Sequence, residues 1–339
     1  MAYEAPVMTL QTFVSAKRQT DPITEATPVH ATAPSDVLNI HTEENPFQLE
    51  PNRIEDNTLT GSFTSESDII GGKIVPVRFQ HHLHGVGDAG SNIEPNWIRV
   101  IECCGHSTAS GSSGGSSSFV MSPKSQPSDV NALTMRQYTA KTLAKAMGIY
   151  GTAQLEYTAK ALANMTFDGR GKYVAGATED PYPATIVRQT KNNKFVQSLG
   201  LVIGTYTPKA TSIRFDLGAA PAEEEDVNST EGIYSFYNSG RRPTCDILLA
   251  APEDQIGLDI DGAGNSFWDA LVDGVTQNIS WTLGAASTNW TLATSLNAWQ
   301  LVGQGWETVN GRRMIRTSWK GRNATADGEY TMTHKEKHA

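Results

Sequence analysis

Short apolar runs dominate the chain, and Gly, Pro, Asn, Asp and Ser punctuate them, which is the pattern of many short strands joined by loops. In residues 73–84, Val75, Val77 and Phe79 fall on one face at the period of two that a strand requires. With residues 61–66 and a turn at Gly71 and Gly72, they predict a hairpin-like pair. Pro76 has no N–H to donate, which places that strand at an edge. Residues 142–147 and 159–163 carry good helix formers. Gly148, Gly151, Gly169 and Gly171 interrupt them, however, and residues 133–139 and 154–158 alternate, so strands are expected throughout 133–174. Residues 199–204, 212–217 and 244–250 continue the strand pattern, as do the segments from Trp281 through Trp290, Trp299 and Trp319 to Thr333.

Two short helices break this rhythm. Near 95–104, Pro95 suits a first helical turn, and Trp97, Ile101 and Cys104 share a face at i, i+4 and i+7. Gly105 fits the position past the last turn, so an amphipathic helix is predicted. Near 266–274, Asn265 or Ser266 can cap a second helix in which Phe267, Leu271 and Gly274 lie on one side with Trp268 adjoining. Trp97, Ile101, Phe267, Trp268 and Leu271 are the expected core-forming residues of the two helices.

At 339 residues, and about 100 to 200 residues per domain, the chain predicts two domains. Residues 1–60 are rich in Thr, Pro, Glu and Asn and read as an extended arm, resting on a neighbouring copy or frayed. A first β domain is expected over 61–190 and a second over 191–339, with residues 181–183 and 191–194 as a linker. Glu223 to Asp226 reads as a solvated acidic loop. Residues 107–118, a Ser/Gly tract, read as a flexible surface loop. Both halves run as strands, a tryptophan-bearing helix, a loop and more strands, a pattern that suggests an internal duplication.

Hydrophobic residues at 38% and charged residues at 19% are ordinary for a chain that buries a core. A net charge of −9 argues against a protein that grips a phosphate backbone, since that grip comes from clustered Lys and Arg. No apolar run is long enough to span a bilayer, and no leader pattern opens the sequence, so use in the cytosol or in a particle is expected. Cys103 and Cys104 are adjacent and Cys245 is remote, which fits buried thiols rather than a disulfide framework.

No constellation for chemistry assembles. His82 and His84 share a strand face at a spacing that can hold a metal, but without a third ligand a structural role is expected. The loop 259–264 starts like a calcium loop, yet Ala263 and Ala270 stand where oxygen ligands are required. No G-x-S-x-G elbow or Walker lysine occurs, and His106 has no carboxylate to orient it. The tryptophans read as core or interface anchors. No catalytic, cofactor or metal site is expected, and the chain is expected not to be an enzyme.

The run from Glu94 and Pro95 through Trp97 to Cys103, Cys104 and Gly105 resembles the helix ending in Cys-Gly of phage tail tube proteins. Residues 133–138 resemble that family's next strand, and residues 147–153, Arg241 to Pro243 and the late helix at 267–272 extend the likeness over most of the chain. The Ser/Gly tract departs from the family pattern. The resemblance implies a mainly β fold of two tandem sandwich or barrel domains, each with one short helix. It implies a virion structural protein that self-assembles into stacked rings, with a trimer of duplicated subunits favoured over a hexamer. Genomic DNA would pass through the channel without specific binding, and other tail proteins, including a tape measure, would be partners. Assembly in the host cytoplasm and residence in the virion tail follow, without membrane insertion. Another tail or connector component (terminator, adaptor or decoration protein) and a carbohydrate-binding β-sandwich are the alternative readings.

Overall fold

The computed structural model describes residues 12–29, 31–40, 46–47, 50–54, 69–86, 93–113, 116–139, 142–175, 183, 185–189, 192–229, 232–250, 260, 266–284, 290–322 and 327–337. The chain begins with β1 (Thr12–Gln19), β2 (Val37–Leu38), β3 (Glu50–Ile54), β4 (Ile69–His82) and β5 (His84–Gly85), followed by α1 (Asn96–Glu102). Next come β6 (His106–Ser113), β7 (Ser116–Pro123), β8 (Ala132–Thr139), β9 (Thr142–Thr158) and β10 (Asn164–Val174). β11 (Asn192–Asn193), β12 (Val202–Ile203), β13 (Ala210–Asp216), β14 (Ala219–Glu225), β15 (Ile233–Arg241) and β16 (Thr244–Ala250) lead to α2 (Phe267–Asp273). β17 (Thr276–Leu283), β18 (Trp290–Val309), β19 (Arg312–Lys320) and β20 (Tyr330–Lys337) complete the described elements. Among the described residues the protein is mainly β, 63% strand, with two short helices.

Sixteen strands form one antiparallel sheet, whose main path runs β2-β1-β8-β9-β13-β16-β19-β18-β20-β7-β6. Two long strands turn the sheet. β9 pairs through Thr142–Ile149 with β8 and through Gln154–Thr158 with β13. β10 pairs with residues of both stretches, so it occupies one edge of β9 while β8 and β13 share the other. β18 behaves alike: β17 follows one edge, and β20 and then β19 follow the other. Residues expected as two domains therefore share one sheet, and one apolar core holds Trp97, Phe167, Phe215, Trp281 and Trp319 together.

The strands expected over 133–174 are present as β8, β9 and β10, and tertiary pairing overrides the helix propensity of their Ala, Leu and Lys residues. The glycines that interrupt the helix pattern serve the sheet. Gly151 faces Gly169 across β9 and β10, and the Phe167 ring lies over both, 2.7 and 2.5 Å from where a Cβ would stand. Gly148, at φ +61°, sits where the register of β9 shifts. The edge position expected from Pro76 is not met: β4 pairs with β10 on one side, where Arg170 faces the proline, and on the other side it is bonded before the proline at Glu50↔Ile74 and after it at Phe47↔Val77. Gly71 and Gly72 lie within β4 rather than in a turn, because β3 pairs along that stretch. Residues 61–66 lie outside the described residues.

Several sequence expectations are corrected. The Ser/Gly tract is not a loop: it forms the β6–β7 hairpin, in continuous register from His106↔Pro123 to Ser113↔Ser116. Its low strand propensity is outweighed because β7 alternates Ser117, Phe119 and Met121 into the core and is bonded to β20. In the expected arm, β1 pairs along its whole length with β8. Arg18 of β1 is ion-paired to Glu94 and Glu102, and Arg99 to Asp36, so this part of the arm packs on its own chain. Enclosed in this way, α1 is buried on all sides except at the half-buried Arg99 and is not amphipathic. Glu223 to Glu225 belong to β14, whose partner β15 keeps them extended. Asn192 and Asn193 of the expected linker pair with β5.

Candidate functional site: an open sheet edge and exposed apolar patches

Of the residues expected at the helix cores, Trp97 and Ile101 are fully buried, Phe267 is buried, and Leu271 is half-buried against the core. Trp268 is not a core residue: 66% of it is exposed. Phe267 takes the inward position, edge-to-face against Tyr206 and Trp319, and turns its neighbour in sequence outward. Of the seven tryptophans, five are buried, and Trp268 and Trp306 are exposed. Four buried indoles donate their N–H: Trp97 to the His84 carbonyl at 2.8 Å, Trp290 to the Asn192 carbonyl at 2.7 Å, Trp299 to the Glu329 carbonyl at 2.8 Å and Trp319 to the Thr317 hydroxyl at 3.0 Å. Burying such a ring removes about 150–250 Å² from water.

His82, half-buried at the end of β4 and hydrogen-bonded to Asn164, and His84 in β5 do not share one strand. His81 and His84 are buried with rings stacked at 5.3 Å, and no group of three or more metal-ligating side chains gathers among the described residues. His106 is buried and hydrogen-bonded through Nε2 to the Tyr330 hydroxyl at 2.7 Å. Burial, and then the nearby Arg241 guanidinium, push its pKa down to about 3, so it is neutral at pH 7. Burial pushes the Tyr330 hydroxyl well above its usual range. Arg241 holds Glu329 in a two-pronged bond at 2.9 and 3.1 Å and donates to the Lys124 carbonyl at 3.0 Å. It lines a cavity of about 250 Å³ together with Cys104, Asn238 and Ser125. His334, also buried, faces Glu336 at 3.2 Å, and burial lowers its pKa. Burial raises the pKa of Cys104 and Cys245, which keeps both thiols protonated and unreactive. The loop 259–264, apart from Ile260, lies outside the described residues.

The exposed features are of another kind. β6 is the last strand on its end of the sheet, and among the described residues it pairs with β7 alone. From Ala109 through Ser112 it is exposed. Natural edges are blunted by Pro, Lys, other charges or bulges. β6 (His106–Ser113) carries no Pro, Lys, Arg, Asp or Glu, and its register with β7 is unbroken over eight pairs. The exposed β14–β15 hairpin has these protections: Pro221, three consecutive glutamates and two register shifts. A second feature is α2, whose outer face shows Trp268 and Val272 one turn apart. Its fold is fixed at both ends by the Ser266–Asp269 capping box and by Gly274 at φ +68°. The Ser266 hydrogen bonds hold the Asp269 carboxyl below its usual pKa. The third is the β18–β19 hairpin, where Val302 and Trp306 are exposed and Arg313 lies 3.9 Å over the Trp306 ring.

Sequence reasoning missed the edge, because which strand ends a sheet depends on pairings far apart in the chain. It missed the outward Trp268 because a helix of seven residues offers too few turns to fix its inward face. The only sequence signal for the edge was the absence of charge across residues 106–118. The molecule is thus a large antiparallel β protein in which burial lowers the pKa of His106 and His334 and in which β6, an edge strand, pairs with β7 alone among the described residues. No family model matches the chain, and no curated protein matches it. No helix among the described residues is long and apolar enough to cross a membrane.

Proposed function

We propose that the chain is a self-assembling structural subunit, the tail tube protein of a long-tailed bacteriophage, built into stacked rings around a channel for DNA. The observation that carries the reading is the β6 edge: an eight-residue strand without Lys, Arg, Asp, Glu or bulge, exposed from Ala109 to Ser112, that pairs on one side only among the described residues and invites pairing with another chain. An edge without protection is economical only where another copy covers it. The exposed Trp268 and Trp306 support a surface made to be covered, since tryptophan is enriched at the centres of interfaces. Net charge −9 suits a wall past which DNA slides without sticking. The sequence likeness at 94–105 and 133–138 supplies the family.

A duplicated subunit with three copies per ring is favoured by two parallels between the halves. Each has one seven-residue helix, α1 or α2, and each has one strand long enough to take two successive partners on one edge, β9 with 17 residues and β18 with 20. Other tail proteins, among them a tape measure, would meet the tube at its ends and lumen.

Negative-stain electron microscopy of the purified chain tests the reading, with Ser110→Lys/Ser112→Lys as the edge-blocking variant. Hollow tubes from the parent and monomers from the variant are expected. Closed single rings would favour a tail adaptor, and a persistent monomer of the parent would favour a sugar-binding module.

A further inference from the structure

Two exposed surfaces remain that the β6 edge does not use, and they complement each other. α2 presents Trp268 and Val272, each 66% exposed, flanked by Asp269 and Asp273 and with no basic residue in its last turn. Its underside is fixed by Phe267 on Trp319, so the apolar pair stands on a rigid base. The β18–β19 hairpin beyond Gln300 presents Val302 at 51% and Trp306 at 46% exposure. Arg312 and Arg313 are exposed at its tip, and Arg316 is ion-paired to Glu307 at 2.8 Å, so the tip carries an excess of positive charge. On a chain of net charge −9, that is a local reversal of sign. Arg313 stacked on Trp306 fixes the indole and adds positive charge beside it.

Within one copy, α2 meets β18 near Gln300 and the hairpin continues past that contact. Gln300 reaches Gly274 at the end of α2, since a Cβ there would stand 2.9 Å from the Gln300 side-chain nitrogen. From that point the hairpin runs on to Val309↔Arg312. At about 3.3 Å per residue, Trp306 lies roughly 20 Å and the tip roughly 30 Å along the strand from that contact. We infer that the β18–β19 hairpin of one copy docks on α2 of the next, setting Trp306 against Trp268 and Val272, and Arg313, which shares its face, against Asp269 and Asp273. The contact uses different patches on its two sides, so it is head-to-tail and propagates into a ring or a filament. It rests on the reading of the chain as a self-assembling subunit and gives that subunit a second contact.

The test is a charge swap read by sedimentation velocity of the full chain across a concentration series at low salt. Asp273→Arg alone, and Arg312→Asp/Arg313→Asp alone, should each raise the concentration for half-assembly at least about tenfold, as central charge pairs do. The chain carrying all three substitutions should regain most of that loss. Trp268→Ser should also weaken assembly about tenfold or more, and the swap should not rescue it. All these positions are exposed, and unchanged circular dichroism checks the fold of each variant. Assembly of the parent with no effect from any variant overturns this contact and leaves the proposed function standing. A parent that stays monomeric overturns both. If Arg312→Asp/Arg313→Asp lowers retention of duplex DNA and leaves assembly unchanged, the hairpin is a nucleic-acid contact and the inference is overturned.

Discussion

His106→Gln should flatten the acid limb of the stability curve. In the folded chain His106 is fully buried against Tyr330, and its pKa is pushed down to about 3 by burial and by Arg241. In the unfolded chain it returns to about 6.5. Between those values the unfolded state binds a proton that the folded state refuses, so stability is intact above pH 6.5 and falls as the pH falls towards 3. The slope is about 1.4 kcal/mol per pH unit, which gives roughly 2–3 kcal/mol between pH 6.5 and 4.5 from this one ring. Glutamine can still hydrogen-bond the Tyr330 hydroxyl but does not titrate. Urea unfolding of the dilute chain, followed by tryptophan fluorescence at pH 6.5 and 4.5, measures the difference. His334, whose pKa is also lowered by burial, contributes equally to parent and variant and cancels. The parent should lose roughly 2–3 kcal/mol more than His106→Gln over that interval. Equal losses would refute the assignment of a neutral, proton-refusing His106.

Ser266→Ala removes the hydroxyl that accepts from the Asp269 amide and should cost about 1 kcal/mol, read as a lower urea midpoint with an unchanged slope. An unchanged midpoint would mean that packing of Phe267 alone holds the helix. Gly169→Val places new atoms against the Phe167 ring and the Tyr150 carbonyl, 2.5 and 2.9 Å from the new Cβ, and should cost about 1–3 kcal/mol or more. The penalty should shrink in a Phe167→Leu background; an equal penalty there would assign it to the backbone rather than to the ring.

The parts of the fold legible in the sequence were those set by neighbours in the chain. Alternation identified β8 and β9 against the pull of the alanines in β9, and Ser266, one of two cap candidates, starts α2. What escaped was set by partners far away. β1 looked like part of an arm because its partner, β8, begins beyond residue 130. The serines and glycines of β6 and β7 have weak strand preference of their own and are held by β20. The candidate surfaces were the least legible, because an open edge and an outward tryptophan are defined by what fails to cover them.

The pairing of β7 with β20 sets a timetable. His106 and Tyr330, bonded across this seam, are 224 residues apart in sequence. During synthesis the β6–β7 hairpin therefore emerges long before the strand that fixes it. Until β20 arrives, the edge has no firm backing on which another molecule could be templated. A ribosome-bound or truncated chain ending before β20 would lack that backing, which ties presentation of a firm β6 edge to completion of the seam.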